Sequence, residues 1–180
     1  MARVERFGPG EEATDFTPGD LLLTHRNHPI ARLIRAGQQW RFRGADGVYA
    51  YWSHCGLVVG ADGAVVEAES LGVRRSPISR YKTSEYHLVR LGPEFSAEGR
   101  ARAVDYANAQ VGKAFGYLAM LGSATFLLTG WPVRLTRRDH QICSELVVHA
   151  LQAGGLLQDV DPALTLPADL AKRFDVRSRN

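Results

Sequence analysis

Residues 52–68 read WSHCGLVVGADGAVVEA and predict a β-hairpin, the feature that decides the fold. Two runs rich in β-branched and apolar residues, 52–60 and 64–68, flank the dipeptide Asp62-Gly63. An Asp-Gly pair between two such runs is a strong short-range signal of a tight turn between antiparallel strands. The stretch therefore predicts an antiparallel sheet around which the rest of the chain is organised.

The polar residues of this hairpin are candidates for chemistry. His54 stands among apolar strand residues and is a candidate general base, and Glu67 on the returning strand is the first candidate to orient it, with Glu69 as the reserve. Side chains alternate along a strand, so Cys55 is predicted to point away from the chemistry into the core. A two-residue turn would pair Val58 with Glu67, about 13 Å along the strand from His54 at ~3.3 Å per residue, which predicts a bulge or strong twist.

A second informative stretch, residues 142–147, reads ICSELV and carries Cys143. The apolar periodicity that follows ends at Gly154-Gly155 and predicts a helix that begins at or just before Cys143. Unpaired N–H groups and the helix dipole at such a position stabilise a thiolate or an oxyanion. The alternative is a small buried core residue, and it is the presence of His54 as a potential base that favours a nucleophile.

The remaining elements predict one α+β domain with an antiparallel sheet packed against the helix that carries the nucleophile. The chain of 180 residues is predicted to form a single domain over 1–180, with its core at about 18–176. The predicted elements are a strand over 21–24, a helix from Pro29, a loop over 74–81, a strand over 86–91, a helix over 96–111 with Ser96 as its N-cap, and a short helix over 167–174.

Composition and charge exclude several classes of protein. Only two cysteines occur, so a disulfide framework is excluded. The chain has 22 basic and 19 acidic residues, for a net charge of +3. The basic residues are scattered and form no nucleic-acid-binding motif, so no nucleic acid is expected as a partner. Residues 1–16 are charged and lack the apolar core of a secretory signal, which predicts a cytoplasmic protein.

Two segments suggest contact with acyl chains or a membrane surface. Residues 114–133 carry no charge, but glycine and proline interrupt them, so a membrane-spanning helix is not expected. A buried helix or a flap lining an apolar pocket are the two interpretations of this segment. Together with the basic helix at 30–43, it favours an acyl-chain or membrane-proximal substrate and peripheral membrane contact.

Metal binding is an alternative from a different class. The residues with tolerable ligand spacing are His25, His28, His54, His140 and Cys143. His140 also competes with His54 as the base, although its position three residues before Cys143 favours a place in the loop that enters the helix. Zinc sites show tighter paired motifs than these, so no metal is expected.

Four stretches together resemble the NlpC-type cysteine hydrolases, in their circularly permuted, YiiX-like branch. Residues 19–23 are similar to the opening strand of that family, 54–60 to its histidine strand, 65–68 to the strand of its third polar residue, and 142–147 to its nucleophile helix. His54 precedes Cys143 here, as in the permuted branch. The resemblance implies a papain-like fold in its permuted form.

The resemblance also implies roles and an activity. Cys143 would be the nucleophile, His54 the general base and later the acid, and Glu67 the residue that orients His54, with no cofactor. The activity would be hydrolysis or acyl transfer at an amide or ester bond through a thioester acyl-enzyme, on a peptidoglycan-type peptide or a lipid-linked acyl group. The alternative is a catalytically inactive or metal-binding module of the same fold.

One departure from the family concerns the oxyanion hole. Many members have Gly-x-x-Tyr-Asp where residues 112–116 of this chain read GKAFG. A hydroxyl near the site would therefore have to come from Tyr117.

Overall fold

A six-stranded antiparallel sheet organises residues 2–116 and 140–178, which are the residues that the computed structural model describes. Its strands in chain order are β1 (Arg3–Phe7), β2 (Leu21–Thr24), β3 (His54–Val58), β4 (Ala64–Glu69), β5 (Gly72–Pro77) and β6 (Tyr86–Arg90). The order across the sheet is β1-β6-β2-β3-β4-β5, with every neighbouring pair antiparallel.

The described residues also form α-helices, which alternate with the strands along the chain. They are α1 (Pro29–Arg41), α2 (Ala97–Ala109), α3 (Cys143–Ala153) and α4 (Pro167–Arg173). Short 3₁₀ helices cover Gly44–Tyr51, Ile78–Tyr81 and Pro162–Leu164, and β7 (Ala114–Phe115) pairs in parallel with β8 (His140–Gln141). Within the described ranges, no helix is both long and apolar enough to cross a membrane.

The core lies mainly between the sheet and helices α2 and α3. Alternating residues of β3, such as Cys55 and Leu57, belong to this core together with Leu146 and Leu151 of α3. The opposite face of the sheet holds a smaller apolar cluster that includes Val58. Because α3 is buried along most of its length, its first residue is fixed against the sheet.

These observations confirm the predicted α+β class, with an antiparallel sheet packed against the helix that begins at Cys143. The predicted N-cap of α2 is also confirmed, since the Ser96 hydroxyl accepts a hydrogen bond from the backbone N–H of Gly99 at 3.0 Å. Most of the uncharged segment over 114–133 lies outside the described residues, as does Tyr117.

The prediction of a loop over 74–81 is wrong. Most of this stretch is the edge strand β5, followed by a 3₁₀ helix that ends at Tyr81. Pro77 is the last residue of β5, a position at the sheet edge where a missing N–H breaks no ladder. The strand β1 was not predicted, and it extends the sheet on its other edge by pairing with β6.

The register of the central hairpin also differs from the prediction. Val58 lies opposite Val65 rather than Glu67, because the two-residue turn is centred on Ala61 and Asp62 and not on Asp62 and Gly63; the N–H of Gly63 donates to the carbonyl of Gly60 at 3.0 Å. This register moves Glu67 two positions along the strand toward His54. The predicted gap of about 13 Å, at ~3.3 Å per residue, does not arise, and no bulge is needed to close it.

Candidate active site

Cys143 is the first residue of α3, as the sequence predicted. The preceding Ile142 is extended, and its side chain makes no capping bond. The first hydrogen bond of the helix runs from the N–H of Leu146 to the carbonyl of Ile142, at 3.0 Å. The backbone N–H groups of residues 143–145 therefore have no partner within the helix, and a negative charge on Cys143 or on a group beside it is favoured there.

His54 and Glu67 meet across the hairpin. His54 Nε2 lies 2.7 Å from Glu67 Oε2, and both side chains are buried. Between them on the same face is Gly56, where an added Cβ would lie 2.7 Å from Val65 Cγ1 and 3.4 Å from Glu67 Cβ. Because Gly56 has no side chain, the imidazole and the carboxylate have room to approach each other. With Nε2 occupied by Glu67, Nδ1 is the ring nitrogen left for the thiol.

Two residues that the sequence did not single out hold Glu67 in place. Arg80 Nη1 donates to Glu67 Oε1 at 2.7 Å, and the buried Tyr81 hydroxyl donates to Glu67 Oε2. Burial would raise the pKa of Glu67, but its hydrogen bonds with His54 and Tyr81 lower it well below the usual range. Glu67 is therefore a fixed carboxylate that accepts a hydrogen bond from His54.

Glu69, the reserve candidate, has different partners. It accepts hydrogen bonds from Arg26 and Arg74, and from Arg80 at 3.2 Å. Its carboxylate is thus neutralised by arginines, whereas His54 is paired with Glu67.

The thiol and the imidazole influence each other. Burial alone would lower the pKa of His54, but hydrogen bonds with Cys143 and Glu67 raise it to about 9. Hydrogen bonding by Cys55, and then by His54, holds the pKa of Cys143 well below that of an ordinary thiol despite burial. The arrangement therefore favours a thiolate on Cys143 beside an imidazolium on His54.

The prediction that Cys55 points away from the chemistry is wrong. The strand alternates as expected, and Cys55 is fully buried on the core face of β3. However, α3 packs on that same face, so the thiol of Cys55 is in hydrogen-bonding contact with Cys143. Burial and the neighbouring Cys143 raise the pKa of Cys55 well above the ordinary value, so Cys55 stays protonated and can donate to the Cys143 thiolate.

Replacing Cys55 tests this contact. Cys55→Ala removes the donor, so we expect the alkylation rate of Cys143 below about pH 7 to fall severalfold, with the thiol pKa raised toward its ordinary value. The matched variant Cys55→Ser keeps a hydroxyl donor and should retain most of the rate. Rates of iodoacetamide labelling as a function of pH measure both, and identical profiles for wild type and Cys55→Ala would contradict the contact.

The other histidine candidates are engaged elsewhere or lie outside the described residues. His25 Nδ1 donates to the carbonyl of Tyr51 at 3.0 Å, and His28 Nδ1 accepts from the N–H of Ala31 at 3.3 Å. His140 is in β8, but its side chain is not among those described. The predicted metal-ligand set is therefore not brought together among the described side chains.

A different group of potential metal ligands lies in the site. It consists of His54, Glu67 and Glu69, whose ligand atoms lie within 4.8 Å of one another. The arginines described above already neutralise both carboxylates, which disfavours a cation there.

A cysteine at a helix N-terminus, with a histidine and a carboxylate on adjacent strands of an antiparallel sheet, is the arrangement typical of papain-like cysteine hydrolases. Comparison with protein families identifies one family within this class. Residues 15–165 match the model of a family described as permuted papain-like amidase enzymes, YaeF/YiiX, C92 family. The chain belongs to this family, which confirms the permuted papain-like resemblance; the wider NlpC-type grouping stays a prediction. Comparison with curated proteins finds no significant match.

Proposed function

We propose that the protein hydrolyses an amide bond through a thioester formed on Cys143. The observation that supports this most is the juxtaposition of the Cys143 thiol, the His54 imidazole and the Glu67 carboxylate. The pKa of each group is shifted in the direction that the chemistry needs: that of the Cys143 thiol is lowered, that of the His54 imidazole is raised, and that of the Glu67 carboxyl, which Arg80 and Tyr81 hold, is lowered.

In the acylation step, the Cys143 thiolate attacks the carbonyl carbon of the substrate and the carbonyl π electrons move to oxygen. The oxyanion develops beside the first turn of α3, where free N–H groups and the helix dipole favour negative charge. The His54 imidazolium donates its Nδ1 proton to the leaving amine as the C–N bond breaks. A thioester on Cys143 and a neutral His54 remain.

In the deacylation step, neutral His54 takes a proton from water, and the hydroxide that forms adds to the thioester carbonyl. The tetrahedral intermediate collapses, releasing the carboxylic acid product and regenerating the Cys143 thiolate next to the His54 imidazolium. Glu67 accepts the Nε2–H hydrogen bond throughout, which fixes the ring so that Nδ1 faces the reacting atoms.

The substrate classes we propose are peptidoglycan-type peptides and lipid-linked acyl groups. Both present an acyl carbon to a thiolate. The first contains the amide bonds on which an amidase family acts, and the second is supported by the exposed apolar and basic face of α1, the helix that follows strand β2. An amine or alcohol acceptor in place of water would give acyl transfer by the same two steps.

The test is amine release from a panel of muropeptides and N-acyl lipids, with Glu67→Gln and Glu69→Gln as a matched pair. We expect wild type to cleave at least one class, Glu67→Gln to be slower by roughly a hundredfold or more, and Glu69→Gln to remain within about tenfold of wild type. Release from no member of the panel, or equal losses in the two variants, would contradict the proposal.

A further inference from the structure

Helix α1 presents a basic and apolar face with nothing packed against it among the described residues. Leu33 and Trp40 are 64% and 60% exposed, the most exposed large apolar residues of any described helix. They are seven residues apart, which places them on the same side of a helix about two turns apart. Large apolar side chains that share one exposed face are typical of surfaces that contact a protein partner or a membrane.

The charge of this face has one sign. Helix α1 reads PIARLIRAGQQWR and contains no acidic residue. Arg32 lies next to Leu33, and the guanidinium of Arg43 lies over the Trp40 ring, 4.6 Å from its centroid. Neither arginine forms an ion pair within residues 2–116 and 140–178, whereas Arg41 at the end of the helix pairs with Asp169 at 3.0 Å. The face therefore combines apolar side chains with uncompensated positive charge.

The opposite side of α1 holds the helix firmly. Gln38 is fully buried, and its Nε2 donates to the carbonyl of Trp52 at 2.7 Å while its Oε1 accepts from the N–H of Ala168 at 3.0 Å. The exposed face is thus presented by a fixed helix, and the chain enters this helix from a strand of the candidate active site. The strand that leads into α1 ends at Thr24, directly opposite His54.

We propose that this face, defined by Leu33, Trp40 and Arg32 of α1 and by Arg43 just after the helix, docks onto an anionic lipid bilayer. Apolar and aromatic side chains enter the interface between headgroups and acyl chains, and arginines pair with lipid phosphates. Docking would hold the active site at the membrane surface. The inference does not depend on the chemistry of Cys143.

Three other molecules or segments could cover this face: a second copy of the chain, residues 117–139, or a nucleic acid. A second copy would bring an equally basic face, and residues 117–139 of this chain contribute three arginines against one aspartate, so neither complements α1. A nucleic acid would match the arginines, but it offers no apolar environment for Leu33.

Co-sedimentation with vesicles tests the proposal on the intact protein. We expect binding to phosphatidylcholine vesicles that contain phosphatidylglycerol, much weaker binding to phosphatidylcholine alone, and weaker binding at high salt. The double variant Leu33→Gln/Trp40→Gln should lose affinity about tenfold or more, and Arg32→Gln/Arg43→Gln by roughly thirtyfold. The matched control is Leu71→Gln, which removes an apolar side chain that is 90% exposed on the turn between β4 and β5.

The readouts separate this proposal from the proposed function. Cys143→Ala should bind vesicles as wild type does, and the α1 variants should keep their turnover of soluble amides, which also shows that they are folded. No binding to anionic vesicles, equal binding to neutral vesicles, or binding that survives both double variants would overturn the proposal. A dimer in solution that the Leu33→Gln/Trp40→Gln variant dissociates would also overturn it, by assigning the face to a second copy.

Discussion

Replacing Cys143 with alanine is expected to reduce turnover of any amide that the wild type cleaves by roughly 10⁴-fold or more. The reason is that the Cys143 sulfur is the only protein atom in the proposed pathway that forms a covalent bond to the substrate. His54 and Glu67 remain in Cys143→Ala, but without the thiolate they have no nucleophile to assist. The measurement is amine release under single-turnover conditions, together with a thermal unfolding curve.

The control separates a chemical loss from a structural one. Cys143 is only 6% exposed, but alanine is smaller than cysteine, so the substitution introduces no steric clash at the start of α3. Cys55→Ser changes the adjacent buried thiol in a comparable way and should keep most of the activity. Full turnover by Cys143→Ala would exclude Cys143 as the nucleophile.

Replacing His54 with alanine is the second large effect, with an expected loss of roughly 10²- to 10⁴-fold in turnover. Two contributions disappear together: the imidazolium that stabilises the Cys143 thiolate, and the proton that the leaving amine requires. The substitution also leaves Glu67 buried without one of its hydrogen-bond partners, so a modest loss of stability should accompany the loss of activity.

The pH dependence of turnover is also expected to differ between wild type and His54→Ala. In wild type the imidazolium is present below its pKa of about 9 and is lost as the pH rises through that value, so turnover should fall on the alkaline side. On the acidic side, turnover should persist below about pH 7, because the pKa of Cys143 is depressed. In His54→Ala the residual thiol reactivity should instead rise near an ordinary thiol pKa of about 8.5, without the alkaline fall. Superimposable wild-type and variant profiles would contradict the role of His54.

Much of the site could be predicted because its signals are local. An Asp-Gly turn between two β-rich runs indicates the hairpin that carries His54 and Glu67. An apolar periodicity that ends at Gly154-Gly155 indicates the helix that begins at Cys143. Each pattern involves residues close together in the chain, so sequence spacing constrains it directly.

The errors concern contacts between distant elements. The register of the hairpin depends on which two residues form the centre of its turn, and the Asp-Gly dipeptide does not fix whether these are Ala61-Asp62 or Asp62-Gly63. Alternation assigned Cys55 to the correct face of β3, but it could not indicate that α3 packs on that face and brings Cys143 against it.

The partners of Glu67 were missed for a related reason. Arg80 and Tyr81 follow the edge strand β5, which was predicted as a loop because proline and two arginines interrupt its apolar pattern. A buried carboxylate requires donors, so the need for them was foreseeable. In a chain rich in arginine, however, composition does not indicate which one supplies the bond.

The most direct test of the central claim is the site and pH dependence of thiol alkylation. The wild-type protein would be treated with iodoacetamide across a pH series, and peptide mass spectrometry would assign the label. The thiolate–imidazolium pair predicts selective labelling of Cys143 over Cys55, with a rate that persists below about pH 7 and collapses in His54→Ala. Equal and slow labelling of both cysteines, with no effect of His54→Ala, would contradict an activated nucleophile and leave the papain-like fold without its chemistry.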